Sequence, residues 1–294
     1  MPLPICVTCG TQYQTNESVP STCPICTDER QYVGWQGQRW TTLAELAAAH
    51  EVRLESDSGL PGIGITPAFA IDQRALLLRT ASCRIMWECV SLVTGQAIAA
   101  LRSLGGVDLI AISHPHFYSS MIEWSDALGG VPILLHEADR QWVGRSSERL
   151  RFWNADEYPI SRGVTLIRCG GHFPGSTALH WQDELRPAGA LFPGDALQVV
   201  SDRRHVTFMY SYPNYIPLHP DAVRLMRSRV ARFEFDDVYG YTWGRNIIGG
   251  GRAAIDESFE RYLRATGALR ESDARTFADA GAVGIVSTLS STAM

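Results

Sequence analysis

Two histidines at the end of a short apolar segment are the residues of this sequence best suited to metal chemistry. His114 and His116 follow residues 107–112, which are apolar except for Asp108, a pattern that is typical of a buried strand. Because side chains alternate along an extended backbone, residues two apart point the same way. We therefore expect both imidazoles to reach one metal ion at the end of this strand.

Two later motifs supply further donor atoms. His172 lies in the segment Gly-Gly-His-Phe-Pro-Gly-Ser, and Asp195 ends the segment Leu-Phe-Pro-Gly-Asp. Three imidazoles and one carboxylate would complete a shell of four metal ligands. His136, at the end of another predicted strand, is a further candidate ligand, with a hydrogen-bonded structural role as the alternative.

The order of these motifs, over residues 50–265, resembles the metallo-β-lactamase-fold superfamily. That family has His-x-His-x-Asp-His, then Gly-His-x-Pro-Gly-Ser, then Gly-Asp, and finally a late Gly-His. The resemblance implies that His114, His116 and His172 hold a first metal and that Asp195 is shared with a second.

The chain departs from the family pattern at the second metal. Tyr118 and Ser119 stand where the first motif has its aspartate and last histidine, and Tyr241 stands where the late histidine would be. The resemblance therefore implies an intact first site and a mononuclear centre. A second metal held by other ligands is the alternative.

A metal held by three histidines with an open position activates a bound water and polarises a carbonyl or phosphoryl oxygen. We therefore expect a metal-dependent hydrolase of a small molecule that uses a mononuclear metal-bound water. Asp195 is the candidate fourth ligand or proton acceptor, and Tyr118 and Tyr241 are candidate catalytic donors. Zn²⁺ is the expected ion, with Fe²⁺ or Mn²⁺ as alternatives.

Two other functions use the same residues. Histidines with a carboxylate also suit a mononuclear iron oxygenase of this fold. The loss of second-metal ligands also suits a non-catalytic protein that binds a metal or a ligand.

Four cysteines near the N-terminus form a second metal-binding pattern. Cys6 and Cys9 make one Cys-x₂-Cys pair, and Cys23 and Cys26 make another after a spacer of thirteen residues. This spacing predicts a structural Zn²⁺ in a zinc-ribbon-like module, with disulfides or a redox pair as the alternative. A docking surface for a protein partner, a wall of the active site and a structural appendage are its candidate roles.

The overall composition excludes some partners. The net charge is −5 and the pI is about 5.9, which gives no support for nucleic acid or an anionic membrane as a partner. No run approaches the ~18 apolar residues that span a bilayer, and the N-terminus lacks a secretory pattern. We expect a cytoplasmic protein.

The alternation of predicted strands and helices favours an α/β fold, a four-layer αββα metallo-β-lactamase-like sandwich with a small N-terminal zinc ribbon. The predicted divisions are the ribbon at 1–35, the main domain at 36–270 and a loosely held tail at 271–294. Strands at 52–55, 64–71, 75–79 and 83–89 predict an antiparallel meander. Ser120 is predicted to open a helix through a capping box with Glu123.

The segment 208–218 is rich in tyrosine and proline and is predicted to cover the metal cleft. Met209, Tyr212 and Tyr215 are its candidate substrate-facing residues, with core packing as the alternative. Glu88 is predicted to fix a nearby loop by hydrogen bonding.

Overall fold

Two stacked β-sheets form the centre of the fold, and helices cover their outer faces. The structure is a computed structural model that describes residues 2–15 and 18–273. Three hydrophobic clusters separate four layers: one lies between the sheets, and one lies beneath the helices on each side. The predicted αββα sandwich is therefore confirmed.

The N-terminal module is small and precedes both sheets. Its elements are the paired strands β1 (Ile5–Cys6) and β2 (Trp40–Thr41) and the one-turn helix α1 (Pro24–Thr27). Helix α2 (Leu43–Ala49) follows and begins with a capping box. Thr42 accepts a hydrogen bond from the Glu45 amide at 3.3 Å, and Glu45 accepts one from the Thr42 amide at 2.9 Å, so two free helix amides are satisfied.

The first large sheet has seven strands in chain order. They are β3 (Glu51–Asp57), β4 (Leu60–Thr66), β5 (Ala75–Arg79), β6 (Arg84–Trp87), β7 (Leu109–Ala111), β8 (Ile133–His136) and β9 (Leu150–Trp153). The predicted antiparallel meander is β3 to β6, and β6 to β9 pair in parallel. Helices α3 (Gly95–Ser103) and α4 (Met121–Ala127) connect the parallel strands.

The second large sheet has six strands. The remaining strands of the chain are β10 (Glu157–Ser161), β11 (Val164–Arg168), β12 (Thr177–Trp181), β13 (Ala190–Phe192), β14 (Gln198–Val199), β15 (Val206–Thr207), β16 (Met209–Ser211), β17 (Ile216–Pro217), β18 (Asp237–Tyr239) and β19 (Asn246–Ile248). The sheet order is β10-β11-β12-β13-β18-β19, while β14 pairs with β15 and β16 with β17. Helices α5 (Pro220–Val230) and α6 (Gly251–Ala265) pack on its outer face.

Successive side chains of β5 face two different hydrophobic clusters. Ala75 and Leu77 pack in the cluster beneath α3 and α4, whereas Leu76 and Leu78 pack between the sheets. All four are almost fully buried. The β5 strand is therefore apolar on both faces, as a strand with cover on both sides must be.

A buried ion pair joins the two sheets. Arg74, just before β5, forms a salt bridge with Asp57 at the end of β3, and it also donates to the carbonyl of Gly240 beyond β18. Asn246 of β19 donates to the Asp57 carboxylate at 2.6 Å. Because both charges are buried, each depends on the other for its solvation.

The α4 capping box differs from the prediction, whereas the predicted tail lies almost wholly outside the described residues. Ser120 is the N-cap of α4, but its side chain makes no cap hydrogen bond, so the capping box is wrong. Of the predicted tail, residues 274–294 lie outside the described residues. Asp273 is buried and pairs with Arg224 at 3.0 Å, so the chain is packed up to this point. Within the described residues, no helix has the length and apolar character needed to cross a membrane.

Candidate metal centre

The loop after β7 brings its two histidines together through a turn. Residues Pro115–Phe117 form a short 3₁₀ helix with His114 at its N-cap. The predicted extended backbone is therefore wrong, because Pro115 fixes a helical turn at this point. His114 and His116 still converge, and their ring centroids are 5.0 Å apart.

Four side chains meet at this edge of the two sheets. The ligand atoms of His114, His116, His172 and Asp195 all lie within 4.8 Å of one another, and all four residues are buried. His172 Nε2 is 3.3 Å from His116 Nδ1, and His114 Nε2 is 3.4 Å from Asp195 Oδ2. Donors with bonds of 2.0–2.1 Å to a tetrahedral ion lie about 3.4 Å apart. The spacing of the four donors therefore fits one such ion.

Hydrogen bonds outside this group fix two of the imidazoles. The Tyr210 carbonyl accepts a hydrogen bond from His172 Nδ1 at 2.9 Å. A carbonyl only accepts, so this bond keeps the proton on Nδ1 and leaves Nε2 free for a metal. His114 Nδ1 lies 2.7 Å from the Ser113 hydroxyl, while its buried Nε2 has no hydrogen-bond partner among the described residues. Burial, with repulsion from His114 and His116, holds the pKa of His172 well below its ordinary value.

Asp195 reaches the histidines because a glycine precedes it. A Cβ on Gly194 would lie 2.5 Å from the Ser113 hydroxyl oxygen, and the φ of Gly194 is +53°. Only glycine tolerates both conditions. Burial alone would raise the pKa of Asp195, but the close imidazoles of His114 and His116, with nitrogens 3.4 and 3.9 Å from Oδ2, outweigh it and hold that pKa below its ordinary value. Asp195 is therefore an anionic donor at neutral pH.

The second carboxylate oxygen of Asp195 is occupied by an amide. Gln198 Nε2 donates to Asp195 Oδ1 at 3.3 Å, while Oδ2 faces the three histidines. Tyr212 donates from its hydroxyl to the Asp195 carbonyl at 2.9 Å. Oδ2 is therefore the Asp195 oxygen that faces the three histidines, while Oδ1 accepts from Gln198.

Glu88 fixes the histidine loop as predicted. It lies directly after β6, and its carboxylate accepts a hydrogen bond from the Ser113 amide at 3.0 Å. Burial, with a smaller contribution from the charge of Asp195, raises the pKa of Glu88 to about 8. The other side of the loop is also tied, because the Ser113 carbonyl accepts from the Thr177 amide of β12 at 2.9 Å. The loop thus bonds to both large sheets.

A cleft of about 220 Å³ opens onto the donors. Its walls combine three metal-site residues with seven other side chains, which are mainly apolar, aromatic or amide. The lining residues are Gln31, Ile71, His116, Phe117, His172, Asp195, Gln198, Tyr212, Pro213 and Tyr241. The 208–218 segment thus contributes to the cleft through Tyr212 and Pro213. Met209 and Tyr215 are not among the lining residues.

The two candidate catalytic tyrosines lie in different places. Tyr241 lines the cleft, and burial raises the pKa of its hydroxyl. Tyr118 is buried in the core, and its hydroxyl donates to the Asp139 carbonyl at 3.4 Å. The structure therefore brings Tyr241, and not Tyr118, to the metal donors.

His136 lies outside the cluster. Its Nδ1 accepts from the Ala138 amide at 3.1 Å, and its Nε2 lies 3.3 Å from the Ala155 carbonyl oxygen. These contacts match the structural alternative for this histidine.

The four N-terminal cysteines form a second cluster of donors. All are buried free thiols, so the disulfide alternative is wrong. The sulfur atoms of Cys6 and Cys26 are 3.6 Å apart, as are those of Cys9 and Cys23. Sulfur ligands with bonds of about 2.3 Å to a tetrahedral zinc lie about 3.8 Å apart. The cluster therefore fits one zinc ion, and the N-terminal segment that carries it is called the four-cysteine module below.

Comparison with known proteins identifies the family of this chain. No protein-family model matches it. The uncharacterized protein YmaE of Bacillus subtilis (strain 168) is 36% identical over 268 residues, which cover 90% of this chain and 97% of YmaE. The chain belongs to the YmaE family. The name YmaE assigns no activity, so membership of the YmaE family alone leaves the reaction open.

Solved structures similar to this YmaE-family chain include two named enzymes. The metallo-β-lactamase DIM-1 is 12% identical with a TM-score of 0.48, over 65% of this chain and 89% of DIM-1. An N-acyl homoserine lactone hydrolase is 16% identical with a TM-score of 0.42, over 62% of this chain and 82% of that protein. The layered sheets and the His/Asp cluster confirm the metallo-β-lactamase fold with an N-terminal four-cysteine module.

Proposed function

We propose that this chain is a metal-dependent hydrolase with a mononuclear centre, acting on a small uncharged carbonyl compound. The observation that carries the proposal is the convergence of His114, His116, His172 and Asp195 at an open cleft. Zn²⁺ bound there would activate a water molecule and polarise a carbonyl oxygen. The remaining polar groups of the cleft are suited to positioning and proton transfer.

A mononuclear centre is supported by the surroundings of Asp195. Its Oδ1 accepts from Gln198, which leaves Oδ2 as the oxygen that faces the histidines. Ser119, which replaces a second-metal ligand of the resembling family, is directed to the Cys89 carbonyl at 3.4 Å. Tyr118 is likewise bonded away from the cleft. Tyr118 and Ser119 therefore supply no ligand for a second metal, and the described residues hold no second group of donors beside Asp195.

Tyr241 is the residue best placed to donate a proton or a hydrogen bond to the substrate. Burial and the nearby charge of Asp195 raise the pKa of the Tyr241 hydroxyl, so it keeps its proton at neutral pH. The Tyr212 hydroxyl already donates to the Asp195 carbonyl. Tyr241 has no such partner among the described residues, and it remains available for a leaving group or an oxyanion.

The charge of the cleft favours an uncharged substrate. The chain contains no lysine, and no arginine is among the described residues that line the cleft. Beyond the metal ion itself, a carboxylate or phosphate group would therefore gain no cationic side chain to offset its lost hydration. Ile71, Phe117 and Pro213 instead offer apolar contacts. Small neutral esters, lactones and thioesters fit this cleft.

The test combines a substrate panel with two tyrosine variants. Zinc-loaded protein is assayed with neutral esters, lactones and thioesters and with carboxylated analogues of each. We expect turnover of the neutral compounds only, a loss of about 100-fold in kcat for Tyr241→Phe, and unchanged kcat for Tyr118→Phe as the matched control. Absence of turnover across the panel, with one metal bound at the His site, would support a non-catalytic ligand-binding role instead.

The donor set also supports a second candidate, a mononuclear iron oxygenase. Three histidines and one carboxylate suit Fe²⁺ as well as Zn²⁺. Elemental analysis of protein purified without added metal separates the two proposals. Iron that is lost in a His114→Ala, His172→Ala double variant would favour oxygen chemistry, and zinc that is lost would favour hydrolysis.

We further propose a reducing compartment such as the cytoplasm. All seven cysteines are free thiols in the structure, and the four of the N-terminal module are in the form that binds zinc.

A further inference from the structure

The four-cysteine module packs directly against the loops that carry the metal-site histidines. We propose that its contacts hold His116 and His172 in the positions that bind metal. Metal binding at the four-cysteine site is then thermodynamically coupled to metal binding at the site of the three histidines and Asp195, called the His site below. The inference concerns metal affinity and rests on the proposed metal site, but it does not depend on the proposed reaction. Three sets of contacts carry it.

The first contact is a single amide that bridges the two sites. Gln73 Nε2 donates to the carbonyl of Cys9 at 2.6 Å and to the carbonyl of His116 at 3.0 Å. Gln73 is buried, with 3% of its surface exposed. A reversed amide would place its oxygen against two carbonyl oxygens, so the donor orientation is fixed. The two hydrogens of one NH₂ group therefore link Cys9 of the four-cysteine site to His116 of the His site.

The second contact reaches His172 through an arginine of the module. The Arg30 guanidinium lies 4.7 Å from the ring centroids of both Phe173 and Tyr210. Phe173 follows His172 in the chain, and the Tyr210 carbonyl accepts the hydrogen bond from His172 Nδ1. Arg30 therefore contacts both the residue that follows His172 and the residue whose carbonyl orients this imidazole.

The third contact fixes the backbone of the module against the main domain. The Gln12 amide donates to the Ser119 carbonyl at 3.0 Å, three residues beyond His116. The Gly10 carbonyl accepts from the Ser91 hydroxyl at 2.8 Å. A Cβ on Gly10 would lie 2.4 Å from that hydroxyl oxygen, so the close approach requires glycine.

The module also supplies part of the cleft wall. Gln31 lines the cleft, and its carbonyl accepts from the Asn214 amide group at 3.1 Å. Asn214 also donates to the Glu29 carbonyl at 2.9 Å. The segment that follows the second cysteine pair is therefore held against residues 210–214.

These contacts couple the two sites because the module depends on its own metal. A module of this size has too little core to fold by burial alone, so metal binding supplies much of its folding free energy. Loss of that ion would release Cys9 and Arg30, and with them the restraints on His116 and His172. By linkage, each site must raise the metal affinity of the other by the same factor.

The test measures zinc affinity at the His site by competition with a chromogenic chelator. The unsubstituted protein is compared with Cys23→Ser, which disrupts the four-cysteine site, and with Gln73→Met, which removes the bridge but keeps the four thiols. Cys83→Ser, at a free cysteine outside both clusters, is the matched control. We expect affinity losses of about 10- to 100-fold in the first two variants and none in the control.

The Gln73→Met protein keeps the proposal testable if Cys23→Ser fails to fold. It should retain the metal of the four-cysteine module by elemental analysis while binding zinc more weakly at the His site. Unchanged His-site affinity in Gln73→Met, with the module's metal retained, would overturn the coupling. Because affinity is read without a substrate, an inactive protein that shows the expected losses would refute the hydrolase proposal and support this one.

Discussion

The strongest quantitative prediction concerns the proton on Glu88. This glutamate is buried, with one oxygen bonded to the Ser113 amide and the other without a partner among the described residues. Its pKa is about 8, against an ordinary 4.5. The folded chain therefore holds this proton over a pH range in which the unfolded chain has released it.

The sign of the effect follows from linkage. Between pH 4.5 and about 8 the folded state binds more protons at Glu88 than the unfolded state does, so stability falls as pH rises. The slope is about 1.4 kcal/mol per pH unit within this window. From about pH 5 to pH 8 the loss is therefore about 3–4 kcal/mol. The Glu88→Gln variant cannot ionise and is spared this loss.

The assay is urea unfolding of both proteins across this pH range, with metal at the His site removed by a mild chelator. The difference in unfolding free energy between variant and wild type cancels every other titrating group. It should rise by about 3–4 kcal/mol in favour of Glu88→Gln between pH 5 and pH 8. For the control Glu148→Gln, at an exposed glutamate, the difference in unfolding free energy from wild type should not change with pH.

A second experiment, with zinc added, tests whether protonation of Glu88 causes the pH effect. A divalent ion beside Asp195 favours the ionised form of a nearby carboxyl group, so added zinc should shrink the pH effect. A difference between Glu88→Gln and wild type that stays constant from about pH 5 to pH 8 would refute the reasoning, because it would mean that Glu88 is already ionised at low pH.

Three further predictions address the site and its frame. His172→Ala should lower bound zinc by one equivalent and leave the equivalent in the four-cysteine module in place, as measured by elemental analysis. Gln198→Leu should weaken zinc binding at the His site by about 10-fold, measured by chelator competition, because Asp195 loses the bond that orients it. Arg74→Met should cost about 3–5 kcal/mol in urea unfolding because it leaves a buried charge unpaired, whereas Arg264→Met, in an exposed pair, should cost under ~1 kcal/mol.

Much of the fold could be predicted because the spacing of apolar residues along the sequence shows which side chains are buried. The predicted bounds 75–79 match β5. This strand is apolar on both faces and ends at turns, so its limits are visible in the sequence. Strands β18 and β19 were not predicted, since each has only three residues and aromatic and polar neighbours obscure the pattern.

The donors of the candidate site and one of their supports, Glu88, could be predicted, but the support from Gln73 could not. His114, His116, His172 and Asp195 occur in motifs with recognisable spacing. Gln73, by contrast, bonds to partners 64 and 43 residues away, and a single amide carries no spacing signal.

Motif position was a weaker guide to side-chain direction. Tyr118 occupies the place of a ligand in the resembling family, yet its side chain packs in the core. The turn at Pro115–Phe117 sets that direction, and strand alternation could not reveal it.

The distance in sequence between the two walls of the cleft affects how the protein is made. Glu29 contacts Tyr210, which is 181 residues later. At a synthesis rate of about 5–20 residues per second, the ribosome needs roughly 10–40 s to deliver the second wall after the first. During that interval the four-cysteine module can contact Gln73, Ser91 and Ser119 of the main domain, but it lacks its partners at residues 210–214. The module must therefore keep its metal without those contacts, and metal starvation during translation should damage newly made chains more than chains already assembled.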